Sequence, residues 1–407
     1  MRAKLTRPGS IAVTALLGTL AAVGVGFAAV AMAAALMATG AQATQVEHVV
    51  LSGGQALASN VSCGDTITAD TTLHSDLVNC PNNGIVIGAD DIALDLNGHK
   101  VTGDGAPFDP CPEGEFCDVG LLNDGHDGVT VKQGRVRQFA EGVFVAGARH
   151  NRVLGISSSK NAFFGFVFAK SARSLIRDSS GNRNLAPEGD GMGLFDSHDL
   201  RIVHNSFRHN ALGIHVDDSP DNLIRHNRIV RNSDFGILMV ADRNRVRRNR
   251  CVRNGACINV ELGNRNVIAR NHVHGGAAGI SVEDGRGNRI ARNVVVHTHK
   301  VSIYLGLNGP PIGGSHNVVS RNRVRRSGGD GFVIREKDHH SRLRRNIATG
   351  SGDDGFDVES RTTKLSRNRA AHNGDFGIEA VRGVIDGGGN IARHNGDPRQ
   401  CTHVACK

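Results

Sequence analysis

From residue 200 onward, short apolar runs alternate with polar turns at a nearly constant interval. Each run is entered by a small residue and then places apolar side chains at every second position, as in Gly213-Ile-His-Val, Gly236-Ile-Leu-Met, Cys257-Ile-Asn-Val, Gly279-Ile-Ser-Val, Gly331-Phe-Val-Ile, Gly355-Phe-Asp-Val and Gly377-Ile-Glu-Ala. Asparagine punctuates the turns. Asn205, Asn227, Asn249, Asn271 and Asn293 follow one another at a fixed step, and the column reads on through Asn322, Asn346, Asn368 and Asn395. A second column reads Asn222, Asn244, Asn266, Asn288, Asn317 and Asn390. Period-two apolar triplets predict strands. A repeat of roughly 22 residues leaves three architectures, and neither an L-x-x-L-x-L frame nor G-G-x-G-x-D runs occur. What remains is an all-β chain wound as a single-stranded right-handed parallel β-helix (β-solenoid). Asn suits its turns because it tolerates the left-handed conformation and its amide can bond the same Asn one coil away.

Fainter copies, among them Ile92-Ala-Leu-Asp-Leu-Asn-Gly-His-Lys-Val, Gly128-Val-Thr-Val, Gly142-Val-Phe-Val, Gly165-Phe-Val-Phe and Gly191-Met-Gly-Leu, carry the array toward the N-terminus. The reading gives about 13 coils over residues 84–396, a stack of roughly 60 Å. The ends of such a stack expose unpaired strand edges and need covering. Residues 44–83 are expected to form an N-terminal cap and residues 397–407 a disulfide-bonded C-terminal tail.

Composition narrows the class. The 52 glycines, single Tyr and absent Trp do not suit an ordinary compact enzyme, while 39% hydrophobic residues are too many for a disordered chain. Residues 1–43 read as a signal peptide: Arg2, Lys4 and Arg7 precede an apolar run from Ile11 to Met37, and Ala41-Gln42-Ala43 offers a cleavage site after Ala43. The run is long enough to serve instead as an uncleaved anchor. Its many Ala and Gly residues insert weakly, so a secreted monomer with no stable membrane insertion is expected. Cleavage removes three positive charges and no acid, lowering the formal +9 to +6. All eight cysteines lie beyond this segment in four close couples, Cys63 with Cys80, Cys111 with Cys117, Cys251 with Cys257 and Cys401 with Cys406. An even count in an exported chain implies disulfides. Pairing within each couple distorts a stacked fold least, and no couple has zinc-type spacing.

The Asn-x-Ile-x-x-Asn and Gly-Ile-x-Val rhythm, with Leu94-Asp-Leu-Asn-Gly-His-Lys-Val-Thr-Gly as an early coil, resembles the right-handed β-helix repeat family. That family includes pectate-lyase-like folds, alginate epimerases and lyases, and the NosD accessory proteins of a periplasmic copper enzyme. The resemblance covers most of the chain; it implies the fold and leaves the chemistry to the site.

Alternation assigns the outward residues. With Ile214 and Val216 inward, His215 and Asp217 face out, and the same positions one coil after another hold Phe144/Ala146, Val167/Ala169, Gly193/Phe195, Leu238/Val240, Asn259/Glu261, Ser281/Glu283, Tyr304/Gly306, Val333/Arg335, Asp357/Glu359 and Glu379/Val381. The early coils present an apolar surface and the later ones a mostly acidic one. Asp217, Glu261, Glu283 and Glu359 share a column. Their spacing admits paired-carboxylate glycoside hydrolysis, a Ca²⁺ site, or a solvated acidic face. A second constellation, His215, Tyr304 and Arg335, has the residue types needed for elimination or epimerisation at a uronate. However, His215 and Tyr304 lie four coils apart, roughly 19 Å. Tyr304 with Arg335 or Glu283 is the feasible grouping, and convergence of these three with Glu261 beneath the 307–316 loop with Pro310-Pro311 would make a site. Asp353, Asp354, Asp357 and Glu359 are the candidate calcium ligands. The 102–118 loop, clipped by Cys111 and Cys117, could overhang the same face. Stripes such as Arg243-Asn-Arg-Val-Arg-Arg-Asn-Arg favour polyanions or simply keep a repeat surface soluble. With one Tyr and no Trp for base stacking, nucleic acid is not the expected partner. The expected partner is an acidic polysaccharide or cell-wall polymer, engaged by a lyase or epimerase. The alternative is a non-catalytic wall-binding protein. A copper-accessory role has less support, because only Met192 and Met239 lie beyond the signal segment and the cysteines read as paired.

Overall fold

The computed structural model describes residues 61–106, 117–184, 189–306 and 313–407. The signal segment, the 107–116 part of one expected loop with Cys111, and the 307–312 part of the other lie outside them. Among the described residues there is no helix; forty strands stack as a parallel β-solenoid of about 14 turns. Most turns give one strand to each of three sheets; Thr130–Arg137 and Arg152–Ser159 each run through the second and third without a break. The first sheet holds fourteen strands in chain order, from Asp65–Ile67 to Ile378–Ala380. In the second, Leu223–Arg225 pairs with Arg245–Arg247; in the third, Arg228–Val230 pairs with Arg250–Val252, all in parallel.

The local reason is a five-residue unit. In Asn222-Leu-Ile-Arg-His the central Ile224 is fully buried, and His226 turns the corner with φ of 58°. Asn227 then begins the next unit, with Ile229 buried and Arg231 at φ of 55°. A three-residue strand can send only its middle side chain inward, so one Ile, Val or Leu per strand suffices to fill the core. Phe332 and Phe356 stack inside the first sheet with centroids 4.5 Å apart.

The Asn that follows each corner turns inward, which would be costly for an amide without partners. Here the neighbouring turns supply most of the partners. The Asn249 backbone N–H donates to Asn271 Oδ1 at 2.9 Å, its Nδ2 donates to the same oxygen at 3.1 Å and also to the Ile224 carbonyl at 2.9 Å. The pattern runs unbroken through Asn205, Asn227, Asn249, Asn271, Asn293, Asn322, Asn346, Asn368 and Asn390. Asn390, not Asn395, therefore continues this column. Asn395 belongs to a third ladder, with Asn161, Asn184, Asn210, Asn232 and Asn254 early and Asn373 late. The two residues lie five apart, one repeat unit, and the longer insertions upstream hide which column each extends.

The ends also differ from expectation. Strand Asp65–Ile67 pairs with Ile85–Ile87 and strand Leu77–Cys80 with Lys100–Gly103, so the segment read as a cap already contains a turn of the solenoid. At the other end the tail adds a partial turn. Gln400 Oε1 accepts from the Asn395 N–H and Nδ2, closing the third ladder, and Thr402 N–H donates to the Ile378 carbonyl. Cys63–Cys80 and Cys401–Cys406 bridge these ends, whereas Cys251–Cys257 is buried in mid-stack. Cys117 is disulfide-bonded as well.

Replacing Asn271 by Ala should strand the Asn249 N–H and Nδ2 and the Val246 carbonyl at once. Leaving buried polar groups unsatisfied costs about 1–3 kcal/mol each, so a loss of at least ~2 kcal/mol is expected. Thermal or urea unfolding of Asn271→Ala beside the corner variant Arg270→Asn checks it. Equal midpoints would show that the ladder contributes little.

Candidate functional site

The outward face of the first sheet follows the expected alternation. Ile214 and Val216 are fully buried, while His215 and Asp217 look out and are half-buried. Its early, apolar part is not a free surface: Phe144, Val167 and Phe195 are all 9% exposed or less.

A third outward position escaped the alternation. Glu141, Asp190, Asp330 and Asp354 each precede the small residue that enters the strand. Adding a Cβ to that glycine would strike the carbonyl of the next turn, as at Gly191, 2.5 Å from the Gly213 oxygen. The backbone is thus held close at the glycine, and the preceding side chain swings out. The Glu-Gly and Asp-Gly dipeptides carried this signal but read as ordinary turn chemistry.

Asp190 lies against His215, with Oδ2 3.4 Å from Nδ1, and Phe195 meets the imidazole edge-on at 5.4 Å. Burial favours the neutral imidazole, yet the Asp190 contact and the charges of Asp217 and Glu261 outweigh it and hold the His215 pKa above its ordinary value. Tyr304 is four turns further along, so the structure does not bring His215 to it.

Tyr304, Arg335, Glu283 and Glu261 form a continuous line instead. Glu261 and Glu283 are register partners on adjacent strands, and Asn259 Nδ2 donates to Glu261 Oε1 at 2.7 Å. Burial and the Glu261 charge push the Glu283 pKa up to about 7. The next position in this column is Gly306, which has no side chain, and the one after it is Arg335. A Cβ at Gly306 would stand 2.8 Å from that of Arg335, and its φ of 102° favours glycine. The column of outward side chains therefore has one gap, a notch in the row between Glu283 and Arg335 whose floor the Arg335 Cβ crowds, with Tyr304 beside it. The Arg335 guanidinium carbon sits 5.8 Å from the centre of the Tyr304 ring. Arg335 Nη1 contacts Glu359 Oε1 at 2.5 Å and lies 3.9 Å from Asp357 Oδ2, while its Nε has no hydrogen-bond partner. Burial raises the Tyr304 pKa, so the phenol stays protonated.

Asp357 and Glu359, expected with Asp353 and Asp354 as calcium ligands, thus face Arg335. The carboxylates that gather with Asp353 and Asp354 are those of Asp330; one oxygen from each of the three lies within 4.8 Å of the others. The Asp354 N–H donates to Asp330 Oδ1 at 2.9 Å, which ties the two turns together. Burial lifts Asp330 to about 6 and Asp357 to about 7; burial and the Asp330 charge lift Asp354 to about 9. Three hard oxygen donors suit Ca²⁺, which would reverse this crowding.

A family profile described as "Periplasmic copper-binding protein (NosD)" matches residues 111–254, 180–307 and 244–387. No curated protein matches the sequence. Among solved structures, the A-module of mannuronan C-5 epimerase AlgE6 from Azotobacter vinelandii is similar over 81% of this chain and 88% of its own, with TM-score 0.54 and 15% identity. PfbA, a surface adhesin of Streptococcus pneumoniae, matches over 72% and 83% with TM-score 0.49 and 11% identity. A mannuronic acid specific polysaccharide family 6 lyase from human gut microbiota matches over 79% of each chain with TM-score 0.44 and 14% identity. At these identities the first likeness speaks for the fold alone.

Copper calls for thiolate, thioether or imidazole donors. Among the described residues no cysteine is free, and Met192 and Met239 are fully buried in the core. Imidazoles stack in pairs on the turns, His204 with His226 at 4.9 Å and His372 with His394 at 5.3 Å between centroids. No third ligand joins either pair, since the aspartate trio is the one three-ligand group among the described residues. The residues present do not fit a copper centre.

Because Glu283 binds its proton more tightly folded than unfolded, its protonation contributes stability that is complete below its ordinary value of 4.5 and is lost as pH rises through about 7. In chelator, the Tm of the native chain should therefore fall more steeply across that window than the Tm of Glu283→Gln. Parallel profiles would show that Glu283 is ordinarily hydrated.

Proposed function

The chain belongs to the NosD family of periplasmic β-helix proteins, and from that premise we propose that it is an exported protein that binds an acidic polysaccharide in the Glu283–Arg335 notch and acts on it as a lyase or epimerase. The observation that carries this reading is the notch itself. A single side-chain-free position separates a carboxyl group titrating at about 7 from a half-buried guanidinium with an unpartnered Nε–H, and a protonated phenol lines one side. One solved protein with this fold is named a mannuronan C-5 epimerase, which supports a uronate polymer as the substrate class.

The chemistry follows from the three groups. Arg335 neutralises the sugar carboxylate, which makes the C5 proton more acidic. Glu283, ionised in a useful fraction near neutral pH, takes that proton; a base is most effective when its pKa lies near the working pH. In elimination the C5–H electron pair becomes the new C4–C5 double bond, the C4–O bond breaks, and Tyr304 gives its proton to the departing oxygen. In epimerisation Tyr304 returns a proton to C5 from the opposite face. The raised pKa values along this face lower its negative charge, so a polyanion meets less repulsion than the acid count suggests. Calcium at Asp330, Asp353 and Asp354 would lower it further.

The test is incubation with pectate, alginate and hyaluronan, with and without Ca²⁺. Ultraviolet absorbance reports unsaturated uronates, and NMR of the polymer reports inverted C5 centres. Glu283→Gln should lose roughly 10²–10⁴-fold in turnover, Arg335→Lys should chiefly raise KM, and Asp354→Asn should remove any Ca²⁺ dependence. Glycan binding without turnover on every polymer would replace this reading with a wall-binding protein.

A further inference from the structure

The corner between the second and third sheets carries Arg248, Arg270, Arg292, Arg321, Arg345 and Arg367 on six successive turns. Each backbone N–H donates to the carbonyl just before the corner residue of the next turn, as in Arg270 to Ala291 and Arg292 to Ser320, so the six stand directly above one another. At roughly 4.8 Å per turn the row is about 24 Å long. All six side chains are exposed, and none takes part in an ion pair among the described residues.

Two features set this row apart from a merely soluble surface. First, all six hold φ between 54° and 58°. Left-handed backbone costs a β-carbon-bearing residue on the order of 1 kcal/mol, and Gly, Asn or Asp would occupy it more cheaply. The first corner mixes such residues, Asp199, Asp221 and Gly287, with Arg243 and Arg265, and the third mixes Gly275 and Gly350 with Arg231, Arg253 and Arg326. This corner has six arginines without interruption. Second, the row is crowded by its own sign. Arg344 precedes and Arg369 follows it on the flanking strands, and the charges of Arg344, Arg367 and Arg321 press the Arg345 pKa below its ordinary value. Repulsion and left-handed corners repeated over six turns concentrate positive charge in one unbroken line at an energetic cost.

We propose that this arginine row binds a linear polyanion laid along the stack, through phosphate or carboxylate groups. Guanidinium forks match both groups bidentately, and a straight row with constant rise suits an extended chain. The only Tyr lies on the first sheet, so stacking on bases or sugar rings has no part here. Among the described residues the large exposed hydrophobics are Val78, Leu262, Val318 and Ile385, too scattered to enter a bilayer together. The site is independent of the notch on the first sheet.

The test measures binding of fluorescein-labelled inorganic polyphosphate and of polygalacturonate to the exported protein over a salt series. The comparison is the triple variant Arg270→Asn, Arg292→Asn, Arg321→Asn, in which Asn keeps the left-handed corners. Unchanged circular dichroism and Tm verify the stack. The native protein should bind with a steep inverse salt dependence, and the variant should bind at least tenfold more weakly with its log–log salt slope reduced by about 2. A preference for polyphosphate assigns phosphate as the partner group, and a preference for polygalacturonate assigns carboxylate. Undiminished affinity in the variant, equal loss in an Arg243→Asn, Arg265→Asn control from the first corner, or tight binding to phosphatidylserine vesicles with neither polymer bound would each overturn the proposal.

Discussion

The structure depends on the hydrogen bonding of buried asparagine. Each ladder Asn has almost no contact with solvent, and in the first ladder Asn227, Asn249, Asn271 and Asn293 donate to the turns on both sides. A β-solenoid turn is too thin to bury much on its own. The ladder makes the cost of a wrong register specific: shifting one turn would leave an amide N–H, a side-chain amide and a carbonyl unmatched together. Hydrophobic burial favours stacking of any kind, whereas the amides require stacking in this register.

Register has chemical consequences because it fixes which side chains become neighbours. Glu261 and Glu283 are 22 residues apart in the chain and adjacent on the face. Burial, with the Glu261 charge beside it, moves the Glu283 carboxyl up to about 7, and burial raises Glu261 as well. The same stacking that concentrates acid on the first sheet concentrates arginine on the opposite corner. The two faces of one repeat therefore carry opposite charge.

Much of this was legible in the amino-acid order. The period, the strand alternation, the carboxylate column and the three fully described cysteine couples all follow from residues that recur at fixed offsets, where each copy corroborates the last. Legibility failed where repetition failed. Steps longer than 22 residues obscured whether Asn390 or Asn395 extended the first column, and only the bonding of Asn368 to Asn390 resolves it. Asp330 reads as a turn residue in the sequence and Asp190 does not stand out there, because no periodic rule says that a glycine held against the next turn swings its predecessor outward. Asp357 and Glu359 were grouped with Asp353 and Asp354 by proximity in the chain, while Arg335, a full turn earlier, holds them in the fold. The order of residues left open whether the apolar outward face from Phe144 to Phe195 is covered; Phe144 and Val167 are buried.

Native-state hydrogen exchange at single-residue resolution tests the central claim most directly. If the asparagine ladders bind the turns into one register, the backbone amides of Asn227, Asn249, Asn271 and Asn293 should exchange together, only through large-scale opening. Exchange of these amides as fast as that of exposed turn residues would mean that the asparagines are not bonded from turn to turn, and both proposed sites would lose their geometry.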